Sequence, residues 1–482
     1  MSGELGAILR ASLDDHLATH RVPAHEARIL RLLAQCGTGE LGFAEYACPD
    51  CGRVEVIPRG CGNRHCPRCQ GRLARAWFER QQADLLDTRY YHAVFTLPHA
   101  LLPLCVARPA ELYRLLMDAA AQTLLRLGRE RLGGRLGLTL VLHTWGQLLN
   151  LHPHVHLIAT GGALTPAGRW RSVRSPRYLF PLGVMSAIFR GKFLAGLTAL
   201  KASGVVPAPP GGWPKLWKTL GRSPWVVYCK RPFAGPEQVL SYLSNYTHRV
   251  AISERRLERI DAAARTGTFR WRDYREKDRR RAAKETTLPA DTFLARFRRH
   301  FLPRGFTKIR HYGLLANNAR ATLIPAARVA LSAASGRPAP RVAAAAPAPE
   351  SASPACPHCG KPNLEFVALV LPGGRRIKCR RAGQGPRTAM ISAASSRAHL
   401  RFFGAAIAGQ AEPCRLRRGG PGKASAARAI QALPVALAPT RGELSSRPHP
   451  TPLARRKRSG YFRFIYNTYR PLIRPADVFV QP

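Results

Sequence analysis

Three histidines alternate in the run His152-Pro153-His154-Val155-His156, which leads into the apolar stretch Leu157-Ile158-Ala159. Side chains alternate across a strand, so positions 152, 154 and 156 share one face. Imidazoles at i and i+2 lie close enough to share one divalent ion. An ion there binds a phosphate oxygen, draws off developing charge and holds the phosphorus in line with a nucleophile. Proline at 153 makes the strand regular only after it, so His154 and His156 rank ahead of His152. His143 and Gln147, on the preceding strand and turn, are weaker candidates for a third ligand or for support of the ligands. Taken alone, the pattern also fits a buried polar cluster satisfied by hydrogen bonds.

The matching nucleophile lies in VLSYLSNYTHRVAIS, where Tyr242 and Tyr246 stand four residues apart. On a helix they share one face, one turn apart. A phenol oxygen can attack phosphorus and keep the cleaved strand covalently attached, and two phenols allow two such attacks in sequence. Aromatic residues at this spacing are usually core; the histidine strand is what favours the chemical reading. His248 and Arg249 follow directly as site neighbours, with Arg249 a candidate DNA contact.

A third constellation is Cys48-Pro-Asp-Cys51 and Cys66-Pro-Arg-Cys69, with fourteen residues between the pairs. Two such knuckles are expected to set four thiolates around one tetrahedral zinc ion. A redox motif or chance clustering is the plain alternative. Cys36, Cys61 and His65 lie in the same block, either replacing a knuckle ligand or supporting a second metal. Arg64 and Arg68, on the same metal-tied loop, are candidate contacts to a DNA backbone.

The elements that must carry these residues can be read from periodicity. The first thirty residues and 74–87 have helical spacing. YYHAVFTLP, LTLVLHTWG and HPHVHLIATGG are expected strands, the last two joined by a turn. Two long helices, ELYRLLMDAAAQTLLRLGRERL and VMSAIFRGKFLAGLTALKAS, flank them. WVVYCKRP returns to strand, 236–246 is an expected helix with Pro236 at its first turn, and TFRWRDY is a short strand. LPADTFLARFRRHFLPRGF reads as helix then turn. The pattern is α+β with an antiparallel sheet. Four regions follow: a helical and zinc-binding domain over 1–88, the chemical domain over 89–321, an Ala/Pro-rich linker over 322–355, and a Cys-x-x-Cys island with a low-complexity basic tail over 356–482.

Lys and Arg number 76 against 28 Asp and Glu, a net charge of +48. A field of that size attracts phosphate backbones. No uninterrupted 18-residue apolar run is present, so no membrane span is expected. No secretory signal is evident at the start, and the cysteines are expected as thiols or metal ligands in a reducing bacterial cytoplasm, on the nucleoid.

Four blocks, taken together and in order, resemble the rolling-circle insertion-sequence transposases of bacteria, of the insertion sequence ninety-one type. They are the cysteine block ending GNRHCPRCQ, then LHTWGQLLNLHPHVHLIATGGAL, YLSNYTHRVAIS and GFTKIRHYGLLAN. The resemblance spans about residues 10–320 and reaches the wider two-tyrosine nucleases. It implies an antiparallel-sheet His-hydrophobic-His nuclease core flanked by helices, with His154 and His156 holding Mg²⁺ or Mn²⁺. Tyr242 and Tyr246 would each form a 5′-phosphotyrosine and free a 3′-hydroxyl, Tyr246 being favoured for the first cleavage. The substrate would be single-stranded and hairpin DNA at the element's ends, joined to a target DNA, with the zinc module helping to recognise the ends. Cys356 and Cys359 match a Cys-x-x-Cys that related proteins carry near their end. No second pair follows them, since Cys379 and Cys414 are isolated, so a complete second zinc site is not expected. The tail beyond 380 has no counterpart in the family and reads as an extension. The competing readings are a plasmid or phage replication initiator with the same chemistry, and a zinc-dependent DNA-binding protein without catalysis. No phosphate-binding G-x-x-x-x-G-K-[ST] loop is present, so no fused helicase is expected.

Overall fold

A computed structural model of the chain describes residues 4–336, apart from 83, 176, 231, 234–237, 240–247, 274–275, 277 and 279–280, and residues 355–378. In chain order the first elements are α1 (Glu4–Thr19), α2 (Ala24–Ala34), β1 (Phe43–Ala47), β2 (Val54–Pro58) and α3 (Pro67–Gln82). Next come β3 (Tyr90–Thr96), α4 (Leu102–Ala107), α5 (Pro109–Leu132), β4 (Arg135–Trp145), β5 (Leu151–Leu164) and β6 (Trp170–Ser172). They are followed by α6 (Leu182–Ala202), α7 (Gly212–Arg222), β7 (Val227–Cys229), β8 (Leu257–Asp261), β9 (Thr266–Arg272) and β10 (Ala283–Pro289). The last are α8 (Ala290–Arg298), β11 (Ile309–Gly313), α9 (Arg320–Ser335), β12 (Glu365–Val370) and β13 (Arg376–Lys378).

The central sheet has the order β11-β4-β5-β3-β7, with β6 paired to β5, and every described pairing is antiparallel. All seven residues of β3 and all fourteen of β5 are buried, which places these strands inside the layer stack rather than at a wet face. One face of the sheet is apolar. Tyr91, Phe95, Leu138, Leu140, Leu142, Val155, Leu157 and Ala159 meet Leu116, Met117 and Leu124 of α5 and Phe189 and Phe193 of α6 in the largest core. Because strands have period two, the intervening residues His92, His143, His154 and His156 fall on the opposite face.

α5 shows how local chemistry sets an element's limits. Pro109 occupies its first turn, where its missing N–H costs nothing, and Gly133 closes it at φ 62°, donating to the Arg129 carbonyl at 3.1 Å. α6 is the one described helix long and apolar enough to cross a membrane, with mean hydropathy 1.2. Its Met185, Phe189, Phe193 and Leu197 edge is buried in the main core, and Arg190 and Lys192 interrupt its apolar sequence.

Three boundaries differ from the sequence reading. α1 and α2 share a core with Phe269, Phe293, Phe297 and Phe301, so the first helices pack on the β8–β10 sheet and α8 and do not close a separate domain over 1–88. The segment read as the start of a linker at 322 is helix α9, whose Ile324, Ala327 and Ala330 pack with Leu86, Trp170 and Leu314. Its small residues carry a helical period that an Ala/Pro composition hides. The island at 356–359 continues into β12, which pairs with β1 from Phe43↔Val370 to Ala47↔Glu365, giving a sheet of order β13-β12-β1-β2. The tail beyond 378 and the segment 337–354 lie outside the described residues.

Edge strand β11 buttresses the central pair through an exact steric fit at Gly313. Its φ is 67°, and a Cβ there would lie 1.8 Å from the Leu136 carbonyl oxygen of β4. Gly313→Ala should therefore destabilise the protein by about 2–4 kcal/mol. Thermal unfolding of the two proteins checks this; equal midpoints would show that β11 shifts freely on β4.

Candidate active site

The imidazoles of His143, His154 and His156 converge on the polar face of the sheet. Cross-strand pairing sets His143 directly opposite His154 and Val141 opposite His156. One ring nitrogen from each of the three lies within 4.8 Å of the others. His154 Nε2 and His156 Nε2 are 3.2 Å apart. Two nitrogens bound to one ion at about 2.1 Å, at an angle near 100°, are separated by about 3.2 Å. The spacing therefore suits a shared divalent ion.

Each ring is fixed from behind. His154 Nδ1 lies 2.7 Å from the His152 carbonyl and donates to it, which leaves the Nε2 lone pair facing the cluster. His156 Nδ1 lies 3.0 Å from Nε2 of His92, whose ring stacks on it with an interplanar angle of 7°. When His156 donates this proton, its Nε2 is likewise a lone pair, the arrangement by which outer groups orient metal-binding histidines. His143 stacks on Trp145 at 4.5 Å.

The three histidines line a small open cleft together with Trp145, Gln147, Arg249, Ser253 and Arg256. Burial holds His92 near pKa 3 and His154 near 4, and the His156 imidazole well below its ordinary value. Arg249 adds to the depression at His154 and His156 by like charge. The rings are therefore neutral and metal-competent, and the cations around them suit an anionic ligand.

The β4–β5 turn that sets this register is held from outside. Leu149 is fully buried in the left-handed region at φ 56°, a conformation costly for a residue with a Cβ. Its carbonyl accepts from His300 Nε2 at 3.1 Å, the Leu148 carbonyl from Arg296 at 3.2 Å, and the Gln147 carbonyl from Arg256. A second polar network joins the cysteine block to the cleft. Arg64 donates to the carbonyls of Leu302, Pro303 and Phe306, and His65 Nε2 accepts the Leu302 N–H. Lys308, lowered to about pKa 7 by burial, donates to the Arg249 carbonyl.

The cysteines form two clusters. Cys36, Cys61, Cys66 and Cys69 compose the first, with sulfur separations of 3.7 Å (Cys36–Cys69), 3.8 Å (Cys61–Cys69) and 3.5 Å (Cys36–Cys66). The edge of a tetrahedron with Zn–S bonds of about 2.3 Å is about 3.8 Å, so the four thiols fit one zinc ion. Cys48 and Cys51 belong to the other cluster, with Cys356 and Cys359.

The single four-thiolate site expected from the two knuckles is thus corrected. Cys48 and Cys51 sit at the tip of the β1–β2 hairpin and Cys66 and Cys69 beyond its base. Five residues of strand set those ends about 16 Å apart. His65 lies outside both cysteine clusters, and its Nε2 accepts the Leu302 N–H. The Arg64 guanidinium is engaged by three backbone carbonyls, which ties the loop to 302–306. Arg68 remains exposed. His152 shares the strand face but is not one of the three converging rings: it lies between His154 and His99, at 5.1 and 6.1 Å, beyond the register shift after His143, and its Nε2 is buried without a hydrogen-bond partner. Tyr242 and Tyr246, and most of the helix expected over 236–246, lie outside the described residues. The candidate residue that the sequence reading missed is His92, which meets His156 and whose signal was a polar ring inside a largely apolar strand.

A pH dependence follows from the buried imidazoles. His92, His154 and His300 have folded pKa values of about 3, 4 and 4, against about 6.5 in the unfolded chain. The stability is intact above pH 6.5. Below it the unfolded chain takes up protons first, and stability falls until the folded rings protonate near pH 4. Each such ring contributes a slope of about 1.4 kcal/mol per pH unit. Chemical denaturation at pH 7.5, 6.5 and 5.5 should show a plateau and then a steep decline; constant stability across this range would show that the rings are hydrated.

Comparison with known proteins identifies relatives by sequence. A family model described as "Putative transposase" matches residues 137–322, which contain the histidine strand, and one described as "Transposase zinc-binding domain" matches residues 8–97. "Putative transposase y4qJ" of Sinorhizobium fredii is 40% identical over 330 residues, covering 66% of this chain and 81% of that protein. "Transposase for insertion sequence element IS801" of Pseudomonas savastanoi pv. phaseolicola is 30% identical over 329 residues, covering 65% of this chain and 76% of that one. No solved structure matches significantly. With the zinc-binding and transposase regions in order and both relatives spanned over most of their length, the chain belongs to the DNA-cutting and rejoining transposases of the insertion sequence ninety-one type.

Proposed function

We propose that the protein nicks and rejoins single-stranded DNA at the ends of its element, in rolling-circle transposition through 5′-phosphotyrosine intermediates. The observation that carries this reading is the convergence of His143, His154 and His156, with two Nε2 atoms 3.2 Å apart, at the floor of a cleft beside Arg249. A divalent ion bound there, Mg²⁺ or Mn²⁺, supplies Lewis-acid stabilisation of a phosphate oxygen. The protein's own groups do the rest. His92 and the His152 carbonyl aim the imidazoles, and Arg249 places positive charge where the phosphate would enter. Tyr246 precedes Arg249 by three residues and Tyr242 by seven. In the proposed step a tyrosine oxygen bonds to phosphorus as the bond to the 3′ oxygen breaks. The phenol proton ends on that oxygen, giving a 3′-hydroxyl, and the reverse attack rejoins DNA. The zinc-binding region and the +48 charge support recognition of hairpin ends and of a target DNA.

The test uses a labelled single-stranded oligonucleotide with the element's terminal hairpin, Mn²⁺ or chelator, and a denaturing gel. A covalent adduct should form with Mn²⁺ only and drop at least about 100-fold in His154→Ala. It should be lost when Tyr242→Phe and Tyr246→Phe are combined. No adduct from folded, zinc-loaded protein that still binds the hairpin would replace this reading with DNA binding without catalysis. His92→Ala should weaken Mn²⁺ binding at this site by about 10–100-fold, as for other outer-shell partners, with zinc content unchanged. Calorimetric titration of the chain with Mn²⁺ measures it, and an unaltered affinity would remove His92 from the site.

A further inference from the structure

The two Cys-Pro-x-Cys-Gly segments, Cys48–Gly52 and Cys356–Gly360, have the same backbone design although Cys51 and Cys356 are 305 positions apart. In each, the glycine N–H donates to the carbonyl of the first cysteine, at 2.9 Å for Gly52 and 2.8 Å for Gly360. In each, the first cysteine's N–H donates to the carbonyl five residues on, Arg53 at 2.9 Å and Lys361 at 2.8 Å. Gly52 and Gly360 both take positive φ, 69° and 75°, which only glycine adopts freely. The backbone N–H of the second residue after the second cysteine points at its sulfur in both, Arg53 toward Cys51 and Lys361 toward Cys359. These are two copies of one metal-binding knuckle, facing each other.

Their four sulfurs lie within 4.8 Å of one another. Cys48 and Cys359 are 3.6 Å apart and Cys51 and Cys356 3.7 Å, close to the edge of a zinc–thiolate tetrahedron. Cys48 and Cys356 are buried with Leu364, and all four cysteines are free thiols.

We propose that Cys48, Cys51, Cys356 and Cys359 bind a second structural zinc ion, which clasps residues 355–378 to the N-terminal hairpin. Neither family match reaches these later residues, which follow 8–97 and 137–322 in the chain. Binding exchanges the thiol protons for the metal and releases them to solvent. The segment 355–378 is too short to bury a core of its own. Besides the strand pairing and a small apolar contact of Leu364 and Phe366 with Tyr46, the segment is tied by exposed polar pairs: Lys361 with Asp50 at 2.9 Å, Arg376 with Glu45 at 2.7 Å, and Arg53 with His358 at 3.1 Å. Such pairs contribute little each in water. The metal adds four bonds to this small join, and the zinc domain is assembled from both sides of the catalytic region.

Native mass spectrometry of the full chain should find two zinc ions, and Cys356→Ser with Cys359→Ser should retain one. Loading with cobalt should halve the thiolate-to-cobalt charge-transfer intensity in that variant. A single zinc in the natural chain, or an unchanged count in the variant, would overturn the proposal. A site-specific protease sequence inserted within 337–354 gives an independent measure in the natural cysteine background. After cleavage the two pieces should co-elute with zinc present and separate in chelator; separation with zinc still bound would also overturn it.

Discussion

The antiparallel pairing of β4 with β5 is the constraint on which the rest depends. A slip of one residue would send every side chain of β5 to the opposite face, exchanging His154 and His156 for Val155 and Leu157. The structure opposes that slip from both faces. The apolar face fills the main core against α5 and α6, and the turn is clamped at Gln147, Leu148 and Leu149 by Arg256, Arg296 and His300. A buried leucine at φ 56° persists because these partners over-determine it.

Desolvation then acts in two directions at once. It keeps the imidazoles neutral at ordinary pH, which a metal site requires, and it strengthens the pull of nearby cations on a phosphate. Arg249 bridges the two effects. Its side chain lines the histidine cleft, while its carbonyl is tied to Lys308 in a polar cluster that reaches Arg64 and His65. The first cysteine cluster thereby stands next to the cleft in the chain of contacts. A metal-tied loop can thus stiffen the loop at 302–308 without touching the substrate.

Strand periodicity made β3, β4, β5 and the two long helices legible, since each buries a continuous apolar face. That His154 and His156 share one strand face was legible for the same reason, from alternation. His143 was only a weak candidate, because cross-strand register is absent from a single strand's pattern. His92 looked like one more residue of a buried strand. The cysteine grouping was misread because proximity in sequence was taken for proximity in space, whereas the β1–β2 hairpin separates neighbouring pairs. The identical Cys-Pro-x-Cys-Gly segments were a visible sign of the true partners. Helix α9 was hidden by its composition, with Pro325 and many alanines obscuring the Ile324, Ala327 and Ala330 stripe.

The division of one cluster between distant knuckles also has a temporal side. At roughly 5–20 residues per second, a ribosome needs about 15–60 s to traverse the 305 positions between Cys51 and Cys356. During that interval the nascent chain exposes half a coordination sphere at the tip of a two-stranded hairpin. The earlier cysteines must survive oxidation and competing ligands until their partners emerge, and a message broken anywhere in the catalytic region yields a chain whose amino-terminal half never closes. Completion of the last knuckle thus marks a polypeptide translated through its whole catalytic region.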